Sequence, residues 1–159
     1  MRLCTRARYG TRAMVDLAVH YKDGPITLRD ISKRQEVSES YLENLMTPLR
    51  IGGLVRTERG NRGGYTLSRD PSQISLSEVV RILDGSLAPV ACVDDETVCH
   101  RAPQCVTRRI WHRLQKAMVD VLDAISLADM VQMQRELVSP DEGETADPKQ
   151  QFSYCDYYI

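Results

Sequence analysis

Two helix-start signals, Thr27 and Ser38, stand eleven residues apart, and this short distance constrains the fold more than any other feature of the chain. Thr27 has Asp30 at the third following position, the acidic partner of a reciprocal cap, and Leu28 and Ile31 face inward behind it. Ser38 opens a second run in which Tyr41, Leu42, Leu45 and Leu49 form one apolar stripe. Only a few residues around Glu36-Val37 join the two runs, which is helix-turn-helix spacing. Pro48 deletes the amide bond back to the Asn44 carbonyl, so it is expected to kink the second helix or end its regular part before Gly52-Gly53 stops it.

The flanking segments complete the pattern. Thr5 is expected to cap a helix running to about Tyr21, with Met14, Leu17, Ala18 and Tyr21 on one stripe, until Lys22-Asp23-Gly24-Pro25 breaks it. Leu54-Val55-Arg56-Thr57 and Gly64-Tyr65-Thr66-Leu67 alternate like half-buried strands. The intervening Arg59-Gly60-Asn61-Arg62-Gly63 is glycine-rich, which predicts a β-hairpin with a basic tip. Ser75 and Glu78 form a capping box for a helix through Leu83 that ends at Asp84-Gly85. The expected fold class is therefore mainly α with a small β-hairpin wing, a winged helix-turn-helix followed by a long dimerisation helix.

At 159 residues the chain suits one compact domain with an appendage, or one subunit of an oligomer, and 6% aromatic residues favour thin helical layers. No run of eighteen apolar residues is present, so no membrane partner is expected. The basic N-terminus leads into an amphipathic segment and not a secretory signal, which points to a cytoplasmic protein. Charge is uneven: residues 1–84 hold fourteen Lys/Arg against ten Asp/Glu, whereas residues 85–159 hold seven against twelve. A basic head suits a polyanion such as double-stranded DNA, although surface variation also produces such asymmetry.

In that setting the helix from Ser38 would lay its first turn in the major groove, with Ser38, Ser40 and Glu43 reaching base edges; a carboxylate can accept from a cytosine amine. Arg59 and Arg62 on a thin wing could enter the minor groove. Arg2, Arg6, Arg8 and Arg12, with no acid among residues 1–12, offer phosphate contacts. The plainer alternatives are a solvated hairpin, an exposed helix charge and serines that only cap.

Of five cysteines, three crowd into one stretch, Cys92-x6-Cys99-x5-Cys105. Paired C-x2-C knuckles of common zinc ribbons are missing, and the longer intervals suit a larger object than one ion. Thiolates are the soft ligands that iron–sulfur clusters take, with imidazole or carboxylate able to fill a remaining place. A thiol redox switch, a zinc site or inert cysteines are the alternatives. From Ser86 to Gln104 the pattern otherwise lapses into a loop. A long helix then opens, with Val106, Ile110, Leu114, Met118, Val121 and Ile125 in one seam and Trp111 beside it, suited to self-association or to packing on its own head. Ser126 and Asp129 start a last helix to about Leu137.

The segments Met1-Arg2-Leu3, Arg8-Tyr9-Gly10, Ala13-Met14, Ser38-x-Ser40-Tyr41-Leu42-Glu43, Gly53-Leu54-Val55, Arg59-Gly60 and Gly63-Gly64-Tyr65 resemble the IscR/NsrR-type family of iron–sulfur winged-helix transcription regulators. The likeness runs through about Ile125 and includes the three cysteines. It implies a homodimer on pseudo-palindromic promoter DNA, with Ser38, Ser40 and Glu43 reading bases and Arg59 in the minor groove. It also implies an iron–sulfur cluster, 2Fe-2S or 4Fe-4S, on Cys92, Cys99 and Cys105. The chain departs from the family where a ligating histidine would fall, three residues after Cys105, because Arg108 stands there; Arg8 stands where some members carry a carboxylate. Guanidinium does not normally ligate iron. His100 is the preferred fourth ligand, with His112, the acids Asp94 to Glu96, Cys4 or an exogenous ligand as alternatives. Arg108 itself could pair with an acid near the cluster or offset its charge.

The chain is accordingly expected to divide into a DNA-binding head at 1–84, a cofactor loop at 85–105, dimerisation helices at 106–137 and an acidic, flexible tail at 138–159. The expected function is a DNA-binding regulator, a repressor, governed by the cluster. A thiol-redox or zinc-dependent regulator is the alternative. A thiol enzyme built on Cys99 or Cys105 with His100 or His112 is more remote, since no glycine-rich oxyanion loop accompanies them.

Overall fold

The computed structural model describes residues 3–60 and 63–138. Among these, α1 (Thr5–Val19), α2 (Leu28–Gln35) and α3 (Glu39–Ile51) precede a hairpin of β1 (Val55–Glu58) and β2 (Gly64–Leu67). After it come α4 (Leu76–Asp84), a single-turn α5 (Ala91–Asp94), α6 (Val106–Asp123) and α7 (Leu127–Val138). The mainly helical winged helix-turn-helix is as the sequence predicts.

Local chemistry explains most boundaries. The Thr27 side chain accepts from the Asp30 amide, Ser38 from that of Tyr41, and Ser75 and Glu78 form the expected reciprocal box. Ser126 and Asp129 repeat that arrangement before α7, where the Ser126 amide donates to the Asp129 carboxylate at 2.8 Å. The chain reverses between α2 and α3 with Glu36 in the left-handed region, at φ +54°. A residue with a Cβ disfavours this conformation, but here it brings the Val37 amide to the Ser32 carbonyl at 3.2 Å and keeps the turn short.

Several boundaries differ from expectation. Cys4, not Thr5, caps α1: its thiol accepts from the Ala7 amide at 3.4 Å, while its own amide donates to the Asp84 carboxylate at 3.1 Å. The same helix ends at Val19, short of Tyr21. Pro48 does not end α3, which continues to Ile51 and closes with the Gly52 amide on the Pro48 carbonyl; a proline one turn from the end forfeits a single bond. Helix α6 stops at Asp123, so Ile125 lies beyond it. The stretch between α4 and α6 is more ordered than a bare loop, holding α5 and 3-10 turns at Glu96–Val98 and Ala102–Gln104.

One core gathers Met14 and Leu17 from α1, Ile31 from α2, Leu42, Leu45, Met46 and Leu49 from α3, and Val79, Val80 and Leu83 from α4. Each such side chain, fully buried, stabilises by about 1.5–3 kcal/mol. Leu127 and Val131 of α7 enter the same core, so the last helix returns to the head. A short antiparallel pairing fastens the return: the Leu76 amide donates to the Ile125 carbonyl at 2.8 Å, and the Leu127 amide to that of Ile74 at 2.9 Å.

The hairpin pairs Val55 with Leu67 and Glu58 with Gly64. Ile26 adds a further rung, exchanging bonds of 3.0 and 2.8 Å with Tyr65. That close approach is why Gly64 is glycine: a Cβ there would lie 2.4 Å from the Ile26 carbonyl oxygen, a backbone atom that cannot rotate away. Gly64→Ala is therefore expected to break the Ile26–Tyr65 rung and lower unfolding stability by about 1–3 kcal/mol. Denaturant melts of the two proteins check this, and equal midpoints would remove the steric account.

Candidate functional site

The exposed first turns of α3 present Ser40 and Glu43, three residues apart on one helical face. Among the described residues no hydrogen bond or ion pair engages the Glu43 carboxylate; its carbonyl takes the Thr47 hydroxyl at 2.9 Å. Ser38 is also exposed, but its hydroxyl oxygen already accepts the Tyr41 amide at 3.3 Å, leaving its proton and one lone pair for a ligand. Arg59 is exposed beside Gly60, whose φ of +125° favours glycine. Arg6 is exposed on α1. Arg2 and Arg62 lie outside the described residues.

Arg12 is exposed and is also engaged within the protein. It donates from Nε to Gln35 Oε1 at 3.1 Å and from Nη2 to the Gln35 carbonyl at 2.7 Å. Beneath it Asp16 is buried, met bidentately by Arg34 at 2.8 and 2.7 Å and by the Gln35 amide at 3.1 Å. The Asp16 hydrogen bond holds Arg34 above its ordinary pKa, against the opposing effect of desolvation. This network sets α2 against α1 and so aims α3. Sequence reading missed it; the available signal was an acid beside the apolar stripe of the first helix. Tyr9 and Tyr41 meet edge-to-face at 6.0 Å, adding a contact between α1 and α3.

Cys92 lies on α5, Cys99 just after the Glu96–Val98 turn and Cys105 immediately before α6. All three are free and half-buried. Buried Val93 and Ala102 pin the segment from within. Cys105 sits 3.1 Å from the Thr107 hydroxyl. That hydrogen bond first, then the Arg108 backbone amide, hold the thiol below its usual pKa. His100 and Cys105 line one open cleft of about 580 Å³, whereas exposed His112 stands farther along α6. Cys4, the helix cap at the α1–α4 junction, is outside this segment.

Among the described residues no three His, Cys, Asp or Glu side chains already converge as an ion site. The donor set nevertheless suits an iron–sulfur cluster: three accessible soft thiols on one short segment, with an imidazole on the cleft shared with Cys105. Arg108 does find an acid. Its Nη2 lies 2.7 Å from Glu96 Oε1 and its Nε donates to the Cys92 carbonyl at 2.6 Å. Helix α6 fully buries none of its side chains: Val119 and Leu122 pack partly buried against the core, while Val106, Ile110 and Val121 are 71%, 50% and 60% exposed.

Helices α1 to α4 with a glycine-tipped hairpin define a winged-helix DNA-binding protein. Residues 3–133 match the Rrf2 family, described as an iron-dependent transcriptional regulator, and the chain belongs to that family. It is 40% identical over 131 residues to protein rrf2 of Nitratidesulfovibrio vulgaris, covering 82% of this chain and 87% of that one. To the HTH-type transcriptional regulator IscR of Serratia proteamaculans it is 40% identical over 141 residues, covering 89% and 85%. The structure of T. potens IscR superposes with TM-score 0.71 at 36% identity over 96% of this chain and 97% of that chain. CymR, the global cysteine regulator of B. subtilis, gives TM-score 0.71 at 35% identity over 84% and 98%. The protein is thus an IscR-like transcription regulator and not a thiol enzyme. No helix among the described residues is long and apolar enough to cross a membrane.

The cause assigned to the Cys105 thiol is testable in metal-free protein. The pH midpoint of its iodoacetamide alkylation should lie below the ~8.5 of a free thiol, and Thr107→Val should move it up. A midpoint indifferent to Thr107→Val would exclude the hydroxyl as the cause.

Proposed function

We propose that the protein is a homodimeric transcriptional repressor whose hold on DNA answers to an iron–sulfur cluster on Cys92, Cys99 and Cys105. The observation that carries this reading is position: three free, half-buried thiols lie on the one segment linking α4 to α6, whose apolar seam is open. On this reading residues 1–84 are the DNA-binding head, 85–105 the cofactor segment, 106–137 the dimerisation helices and 138–159 an acidic tail, which falls almost wholly outside the described residues.

In the complex, Ser38, Ser40 and Glu43 read base edges in the major groove. Arg59 and Arg62 enter the minor groove, while Arg2 and Arg6 bind phosphates. Two copies joined through α6 would place their recognition helices about 34–36 Å apart, matching half-sites one DNA turn apart on a pseudo-palindromic promoter. When bound, the cluster supplies a redox-labile cross-link among soft thiolates. His100 is the proposed fourth ligand because it shares the Cys105 cleft. DNA affinity then changes by the free-energy difference between the head arrangements that the cluster-bound and cluster-free segments favour.

A thiol-redox or zinc-dependent regulator is the second reading. Its thiol-redox form is favoured by the depressed Cys105 thiol, whose thiolate is the reactive species.

Protein purified without oxygen tests the choice. Iron and acid-labile sulfide are expected in the wild type, and each of Cys92→Ala, Cys99→Ala and Cys105→Ala should lose at least about tenfold of both, with altered promoter binding in a mobility shift. Zinc without sulfide, or reversible disulfide formation alone, would support the second reading. Sedimentation provides an independent check on assembly. Ile110→Glu with Val121→Glu should convert a dimer to a monomer, because two desolvated carboxylates per copy cost more than the seam returns.

A further inference from the structure

We propose that Arg108 is the positioning residue of the cysteine segment, clasping the Cys92 carbonyl and the Glu96 carboxylate to the start of α6 so that the segment is held before any cofactor binds. The inference rests on the proposed function only for what the thiols receive; the clasp itself is protein chemistry.

Three observations carry it. The two Arg108 bonds leave one planar guanidinium from different nitrogens, Nε to the Cys92 carbonyl at 2.6 Å and Nη2 to Glu96 Oε1 at 2.7 Å. A rigid fork fixes the direction of both partners, which a single ammonium cannot do. The Arg108 side chain is only 20% exposed and its bond to the Cys92 carbonyl is part-buried, whereas Glu96 is 62% exposed and adds the weaker tie. Seven residues onward, on the same face of α6, Gln115 donates to Asp94 Oδ1 at 3.1 Å. The segment from Cys92 to Glu96 is therefore laced to α6 at two heights, with buried Val93 between the ties.

The chemistry of the substitution follows. Guanidinium stays protonated and has no lone pair to offer iron, so this position cannot act as a ligand. It instead brings a fixed positive charge to the carbonyl of one thiol-bearing residue, on the helix that begins beside another. Cys92 is thereby held on α6 by side chains alone, and the segment's order does not wait for metal.

Amide hydrogen exchange on the metal-free full-length protein tests this, with iron and sulfide assayed in parallel after anaerobic reconstitution. Arg108→Ala should raise exchange across residues 92–97 by about tenfold and leave α1 to α4 unchanged. Arg108→Lys should not restore protection. Glu96→Gln should have a smaller effect, since the bond to the Cys92 carbonyl remains, and adding it to Arg108→Ala should change nothing further. Wild-type exchange in Arg108→Ala, or a rise spread equally through α1 to α4, overturns the clasp. A wild-type protein that takes up no iron or sulfide overturns the cluster reading and leaves the exchange result standing.

Discussion

The bidentate pair between Asp16 and Arg34 is the contact on which the placing of α2 against α1 depends. Asp16 is a carboxylate buried on α1, and charge in that position is tolerated only when its hydrogen bonds are supplied. Arg34 and Gln35, at the end of α2, supply them, and Arg12 then takes hold of Gln35 from the outside. An ordinary surface pair contributes about 0–1 kcal/mol; this one matters more because breaking it strands a buried charge. The turn at Glu36 follows at once, so the angle set by Asp16 is passed to α3 with little chain in between.

Helix α1 is the hub of the rest. It packs on α2 and α3 through this network and the Tyr9–Tyr41 contact, and on α4 and α7 through the core. Its N-terminal end is tied to the end of α4 by Cys4 and Asp84. Helix α6 contributes least to that core, packing only the partly buried Val119 and Leu122 against it. Its Val106, Ile110 and Val121 remain exposed within one copy, and Cys92, Cys99 and Cys105 lie on the segment between α4 and this helix.

Features that depend on neighbouring residues could be read from the sequence. Thr27, Ser38, Ser75 and Ser126 act as caps because the amides they satisfy lie two or three residues away. The hairpin was readable because its strands pair across a short connection. Cys4 was passed over because a thiol is an uncommon cap and Thr5 stands next to it. Pro48 does not end α3 because it stands three residues from the end, where little helix remains to be interrupted. The Asp16–Arg34 pair, the return of Leu127 to the core and the Ile26 rung against Tyr65 join residues far apart in the chain, and no local pattern announces them. Of the site, the Ser40–Glu43 face and the cysteine spacing were visible in advance. That Arg108 would pair with a nearby acid was legible too; that the acid is Glu96, with the Cys92 carbonyl beside it, was not, because the fold of the intervening segment brings both to it.

The short pairing of Ile74 and Leu76 with Ile125 and Leu127 makes α6 a lever with a fixed pivot. Eighteen residues of helix span ~27 Å. A swing of ~5° about the pivot carries the opposite tip ~2 Å, enough to slide one side chain out of register with a neighbour. Because the paired strand leads directly into α4, and the end of α4 is bonded to the cap of α1, the C-terminal end of α6, α4 and the start of α1 are joined by one continuous run of chain and hydrogen bonds.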